Sequence, residues 1–382
     1  MNSRAKFLLA LKYPAAARER IRSRFRTRLK IAPRVKKGID RAPGPTTISL
    51  NLTHLCNLRC EMCGQWRRQD VYRKEFLPLK RLRSLIDELS VSSPKFYLWG
   101  GEPLLYPELT ELLRYLREKR QYTIINTNGV LLKKYAAELV SLEVDGIDLS
   151  LDGPPEVHDR IRGVPGTYRK VIDGLRLLRE ERRKQGARKP MVKAITTISA
   201  MNVDRLEETL ELFDASGLFD AVIFNLGWFT TEKIGRATDR IFRQHLGCPA
   251  SSWKDFVGAL GEVDPGKVKT FMETVSARRR TGPPVFFIPD LPSGRVEEYY
   301  SRPASFLGKK TCFSPWLNIE VRPNGDLTFC PDFPDYIIGN INRESFSEIW
   351  NGDRARKFRR LLIERGLFPI CSRCCGLFAY GD

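Results

Sequence analysis

Thr53-His54-Leu55-Cys56-Asn57-Leu58-Arg59-Cys60-Glu61-Met62-Cys63 is the stretch on which the fold and the chemistry turn. It follows the alternating run Thr47-Ile48-Ser49-Leu50-Asn51-Leu52 and places three cysteines within eight residues, in the spacing C-x3-C-x2-C. Three thiolates on one loop suit three irons of a four-iron cluster and leave the fourth iron open to another ligand. A zinc knuckle or buried free cysteines would use the same residues, although zinc sites usually pair two ligands with two more.

Outward from this loop the chain alternates. Strand-like runs occupy 47–52, 95–99, 122–126, 145–150, 191–197 and 220–226. Helical periodicity fills the gaps at Leu79–Leu89, Leu109–Lys119, Leu131–Leu142, Tyr168–Glu181 and Val203–Ser216. Strands alternating with helices predict a parallel sheet. Six such units over residues 44–230 predict an α/β fold, a partial (β/α)6 barrel of the TIM type. Barrels of this kind keep their chemistry at the carboxyl ends of the strands. The predicted ends fit that rule: the cysteine loop, then Trp99-Gly100-Gly101-Glu102-Pro103, Asn126-Thr127-Asn128-Gly129, Ser150-Leu151-Asp152-Gly153, Thr196-Thr197-Ile198-Ser199 and Asn225-Leu226-Gly227. One polar or glycine-rich turn is an ordinary βα connection; six on one rim read as a binding face.

Residues 231–310 lose the alternation and, with Pro283, Pro284, Pro289, Pro292 and Pro303, read as an irregular connector. Its aromatics Phe286, Phe287, Tyr299, Tyr300 and Phe306 are expected to pack on the barrel. Residues 311–382 form a small α+β domain. Asn318–Arg322 and Leu327–Cys330 predict a hairpin around Pro323-Asn324-Gly325-Asp326, and a helix runs from Ser345 to Arg365. Cys312, Cys330, Cys371 and Cys374 make a C-x17-C-x40-C-x2-C set that can close a metal site completely; a zinc ribbon is its main rival, and Cys375 competes with Cys374. Cys248 stands apart and reads as a small buried hydrophobe.

Nine cysteines in 382 residues, most of them in two clusters, favour metal in a reducing compartment over a disulfide framework. No apolar run reaches transmembrane length, and no signal peptide is read, so a cytoplasmic location is expected. Charge is uneven: residues 1–43 carry fourteen Lys/Arg against two acids, +12 of the chain's +20. Within that arm Ala15–Ile31 predicts a helix with Ala17, Ile21, Phe25 and Leu29 in one apolar row flanked by arginines. Such a helix can lie peripherally on the anionic inner face of a membrane, pack on the protein's own body, or meet RNA. Aromatics are too thin along residues 15–31 for a nucleic-acid track.

The cysteine loop together with Gly100-Gly101-Glu102-Pro103 resembles the radical S-adenosylmethionine (SAM) superfamily over roughly residues 46–227. The resemblance implies that Cys56, Cys60 and Cys63 hold a [4Fe-4S] cluster whose open iron binds SAM. An electron from a donor such as a ferredoxin or flavodoxin then cleaves SAM to methionine and a 5′-deoxyadenosyl radical, which abstracts hydrogen from substrate. It further implies that Gly100, Gly101 and Glu102 receive the methionine amino group, that Ser150 faces the sulfonium, and that Arg162 pairs the carboxylate. Thr197 and Ile198 are candidates for the adenine. Met62 departs from the aromatic many members carry before the third cysteine. His54 and His158 are expected to orient loops. The C-terminal set resembles the SPASM extension or its shortened twitch form, with Cys312 and Gly325-x4-Cys330 as its opening; it implies one auxiliary [4Fe-4S] cluster on Cys312, Cys330, Cys371 and Cys374. The arm tilts the substrate toward a lipid-linked or membrane-associated metabolite. A ribosomal-peptide maturase is the alternative within the family; a non-catalytic zinc or iron–sulfur protein binding RNA is the alternative outside it.

Overall fold

The computed structural model describes residues 3–67, 75–90, 92–278 and 280–382. Six parallel strands lie close to their expected positions: β1 (Thr47–Asn51), β2 (Lys95–Trp99), β3 (Thr123–Thr127), β4 (Gly146–Ser150), β5 (Met191–Thr197) and β6 (Ala221–Asn225). They pair in chain order. Each strand turns one face to the helices, so Ile48, Leu50, Phe96, Leu98, Ile147, Leu149 and Phe224 are buried in one apolar cluster. The other face carries Ser49, Asn51, Tyr97, Trp99, Asp148 and Lys193, as the register of neighbouring strands requires. Tyr97 on β2 faces Asp148 on β4, two strands away, which is possible only if this polar face is concave. Asp148 also pairs with Lys193 at 2.5 Å.

The stretch read as an irregular connector contains more order than its sequence suggests. The helix Pro265–Ala277 leads into β7 (Val285–Ile288), which pairs parallel with β6 and adds a seventh unit. Tyr299 and Tyr300 do pack on the barrel, their hydroxyls donating to the carbonyls of Gly227 and Leu226 at 2.5 and 2.9 Å.

The C-terminal hairpin joins the same sheet. β8 (Asn318–Val321) pairs parallel with β1, and β9 (Asp326–Thr328) and β10 (Gly339–Asn340) continue antiparallel beyond it. The ten-stranded order is therefore β10-β9-β8-β1-β2-β3-β4-β5-β6-β7. The helix expected over Ser345–Arg365 is two helices, Phe346–Trp350 and Asp353–Arg365, broken at Asn351-Gly352. The Asn351 side chain is drawn away there to bridge the Ala42 amide and carbonyl at 2.9 and 3.0 Å.

The basic arm crosses the opposite end of the barrel, where the strands begin. Lys12 pairs with Asp220 just before β6 at 2.5 Å, and Arg22 donates to the carbonyls of Ser92 and Ser93 just before β2 at 2.5 and 3.0 Å. Ile31 and Val35 bury themselves in the core. The arm is helical over Pro14–Phe25, loosens into a π-helical turn at Arg26–Ile31 and resumes at Ala32–Lys36. Ile21, Phe25 and Leu29 do not pack on the body: they are 67, 59 and 59% exposed. Among the described residues no helix is long and apolar enough to cross a membrane.

Candidate active site

The cysteine loop is clamped from two sides. On the β2 side, the amides of Gly101 and Glu102 donate to the carbonyls of Thr53 and Leu55 at 2.7 and 2.8 Å. On the other, the end of the helix Pro155–Arg162 accepts from the loop: Arg59 N–H donates to Arg162 O at 3.1 Å and Glu61 N–H to Ile161 O at 3.0 Å. The two glycines are required by this closeness. A Cβ at Gly101 would sit 2.2 Å from Leu55 O and one at Gly100, whose φ is +137°, 2.5 Å from Thr53 O. The family resemblance implies that these glycines also receive a cosubstrate amino group. Among the contacts formed, the amides of Gly101 and Glu102 serve the loop.

Glu102 is fully buried at the rim. Its carboxylate accepts from Leu104 N at 3.0 Å, Thr127 Oγ1 at 2.6 Å and Asn128 N at 2.8 Å, tying β2 to the end of β3. Burial raises its carboxyl above the usual range, against those three donors and the more distant Arg162. Asn128 then reaches the loop, its amide donating to Asn57 Oδ1 at 2.8 Å and lying 4.0 Å from Cys56 Sγ.

Arg162 is brought to the cluster cysteines from the far side. Its guanidinium lies 3.6 Å from Cys60 Sγ and pairs with Asp152 at 2.6 Å. Asp152 follows β4, is fully buried and also accepts from Thr197 N at 3.1 Å. Neutral His158 holds the same turn, its Nδ1 accepting from the Asp152 amide at 3.2 Å; burial keeps the imidazole well below its ordinary range. Ser150 ends β4 on the concave face, in register with Ile195. His54 is likewise neutral, pushed down to about 3 by burial with Arg322 adding to it. Of the two, His158 holds a turn, through the Asp152 amide.

The three thiols lie near enough to influence one another. Burial pushes Cys56 up to about 12, with Cys60, Glu102 and Cys63 adding to the rise, and raises Cys63 in the same way. Three neighbouring thiols with cationic and amide donors close by suit an iron–sulfur group, which would draw them into the thiolate form. In the sequence Asp152, Thr127 and Asn128 are ordinary polar residues of strand-end turns. Only the fold reveals that they fix Arg162 and Glu102.

The second cysteine set converges beside β8. Cys330 feels Cys374, Cys371 and Cys312 around it, with burial raising its thiol far above the ordinary range. Cys375 sits to one side: its thiol is held up by the hydrogen bond to Cys374 and then by burial, and its amide donates to Asp332 at 3.2 Å. Ligand atoms of Asp332, Cys374 and Cys375 all lie within 4.8 Å of one another. Arg373 locks this turn: its buried guanidinium donates to the carbonyls of Tyr299 at 2.6 Å, Ser305 at 2.6 Å and Arg302 at 2.8 Å. Cys248 is near Asp335 and Arg354 and takes no part in either set.

Comparison with known proteins agrees with this arrangement. Residues 50–213 match the radical SAM superfamily, and residues 312–375 match the SPASM family, described as an iron–sulfur cluster-binding domain. The chain is 33% identical to the Fe-coproporphyrin III synthase of Methanosarcina barkeri over 43% of its own length and 40% of that protein's. It is 26% identical to the serine-type anaerobic sulfatase-maturating enzyme of Bacteroides thetaiotaomicron over 85% and 78%. In structure it is similar to Streptococcus suis SuiB bound to S-adenosylmethionine, with a TM-score of 0.59 at 16% identity, covering 85% of this chain and 69% of that one. The chain spans 40 to 54% of the first curated relatives it matches.

Proposed function

We propose, from the match of residues 50–213 to the radical SAM superfamily and of residues 312–375 to the SPASM iron–sulfur domain, that the chain reductively cleaves S-adenosylmethionine and abstracts hydrogen from a substrate with the radical released. The observation that carries this reading is the convergence of Cys56, Cys60 and Cys63 with Glu102 and Arg162 at adjoining strand ends. A [4Fe-4S] group on the three cysteines, when bound, supplies the electron and the open iron. The chain's own residues do the rest. Asp152 holds the Arg162 fork in place to take a carboxylate, and Glu102, with Gly100 and Gly101 behind it, offers negative charge to an ammonium. Ser150 lies on the concave rim toward the sulfonium. The auxiliary cluster is assigned to Cys312, Cys330, Cys371 and Cys374, with Cys375 hydrogen-bonded beside them; a ferredoxin- or flavodoxin-type protein is the electron donor. Anaerobic reconstitution followed by reduction should yield 5′-deoxyadenosine and methionine. Stoichiometric zinc with no cleavage of SAM would overturn the proposal.

The substrate reading favoured by the arm is a lipid-linked or membrane-associated metabolite. Ile21, Phe25 and Leu29 stand in one exposed row, with Arg18, Arg24, Arg28 and Lys30 exposed beside them, while the other side of the arm is anchored to the barrel. Apolar side chains with flanking cations suit an anionic bilayer, where each cation near the surface adds about 1 kcal/mol. Flotation with phosphatidylglycerol vesicles, lost at high salt and in Phe25→Glu, is the expected result; no flotation at low salt removes the lipid tilt. A peptide or protein substrate is the second reading, favoured by the match along 85% of the chain to a sulfatase-maturating enzyme.

A further inference from the structure

The concave face holds polar atoms that the assigned chemistry does not use. Buried polar groups in folded proteins nearly always have a hydrogen-bond partner, so a concentration of exceptions calls for a ligand or water. Among the described residues, both carboxylate oxygens of Glu320, Oδ1 of Asn318, Oδ1 of Asn51 and Nε1 of Trp99 have no hydrogen-bond partner. Glu320 is 1% exposed, and Asn318 and Asn51 are also buried. All four residues occupy neighbouring strands on one face: Asn318 and Glu320 of β8 align with Thr47 and Ser49 of β1, and Asn51 of β1 aligns with Trp99 of β2. Among the described residues Glu320 has one ion pair, a long one to Arg322 at 3.8 Å, too far for a hydrogen bond.

The location and the sign of this patch are both informative. Asn51 lies two residues beyond Ser49, so Glu320 is about 7 Å along the strands from the position that abuts Gly100 and the cysteine loop. On the other side Glu320 feels Asp332, which lies against Cys374 and Cys375. The patch therefore lies between the two cysteine sets. Four of its five atoms without a hydrogen-bond partner are acceptors. On the β4–β5 side of the same face, Asp148 already has Lys193.

We propose that this face is the substrate's anchoring site and that it takes a protonated amine, with Glu320 receiving the ammonium. The inference rests on the radical SAM reading of the adjoining site and assigns a class of substrate to it. An ammonium supplies several donors to an acceptor-rich, buried surface and balances its charge; a carboxylate there would face the like charge of Glu320, with Trp99 Nε1 the one donor of the patch. Hydrogen bonds to charged groups discriminate by about tenfold or more per contact.

The test uses the protein reconstituted with iron and sulfide and saturated with SAM, and three probes of equal length: n-butylamine, n-butanol and butyrate. Calorimetric titration should rank butylammonium first, with butanol weaker and butyrate without measurable binding. Glu320→Gln should weaken butylammonium at least tenfold, with SAM binding measured on the same sample as the check on folding. Equal affinity for the three probes, no butylammonium binding by SAM-bound protein, or unchanged affinity in Glu320→Gln would overturn the assignment. Loss of SAM cleavage in the unaltered protein would instead strike the underlying reading, so the two failures are separable.

Discussion

Replacing Gly101 by alanine tests the idea that the glycine pair exists to let the cysteine loop approach. The new Cβ would lie 2.2 Å from Leu55 O and 2.7 Å from His54 O, both backbone atoms that no side-chain rotation can remove. To reach ordinary van der Waals separation the loop must retreat by about 1 Å. That retreat stretches or breaks the bonds from Gly101 N to Thr53 O and from Glu102 N to Leu55 O, now 2.7 and 2.8 Å. Two buried backbone bonds lost or weakened cost about 2–5 kcal/mol in total. The displacement falls next to Cys56, and metal–ligand distances tolerate only about 0.2 Å. Gly101→Ala should therefore lower the urea midpoint and lose most of the iron bound at the first site, while the second site still loads. Gly294→Ala, where an added Cβ meets nothing within 4 Å, is the matched control. If Gly101→Ala loads iron as the control does and unfolds at the same midpoint, the argument from close approach is wrong.

Asp152→Asn removes one partner of a buried 2.6 Å ion pair, so the protein should lose about 3–5 kcal/mol of unfolding free energy and bind SAM at least tenfold more weakly by calorimetry. Arg373→Ala strands the carbonyls of Tyr299, Ser305 and Arg302; about 3 kcal/mol of stability should go, with iron lost selectively from the C-terminal set, and Arg373→Lys should not restore it. Burial holds the Cys56 thiol up to about 12, so this thiol is protonated at neutral pH and its ligation must release a proton. Iron loading should accordingly strengthen as pH rises from about 6.5 to about 8.5 and weaken as it falls, with proton release measurable in weak buffer. Cys312→Ala should retain SAM cleavage if the second cluster serves substrate chemistry, whereas Cys56→Ala should abolish it; equal loss in both would place the second cysteine set in the cleavage step itself.

The barrel was legible because its strands are short apolar runs, each closed by a polar or glycine turn, and that pattern survives in the linear sequence. β7 escaped notice because Val285–Ile288 is a four-residue strand between Pro284 and Pro289, and proline at both ends reads as a break. The parallel pairing of β8 with β1 joins residues some 270 positions apart, which no local periodicity records. In the site, residue types announced the cysteines, Glu102 and Arg162, but not what fixes them. The Asp152–Arg162 pair, the Thr127 and Asn128 donors and the steric need for Gly101 depend on how the strand ends meet. The exposed row Ile21, Phe25 and Leu29 was visible as a periodicity; that it faces outward depended on the arm's anchors at Lys12, Arg22 and Ile31.

The central claim is one open iron–sulfur site beside Arg162 and one closed site at the C-terminus. Electron paramagnetic resonance of the reduced, reconstituted protein, titrated with SAM and read together with its iron content, tests it most directly. The account predicts about eight irons per chain and two cluster signals, of which SAM shifts only the one that disappears when Cys56, Cys60 and Cys63 are replaced by alanine. A single cluster, a SAM-induced shift that survives that triple replacement, or bound zinc in place of iron would contradict it.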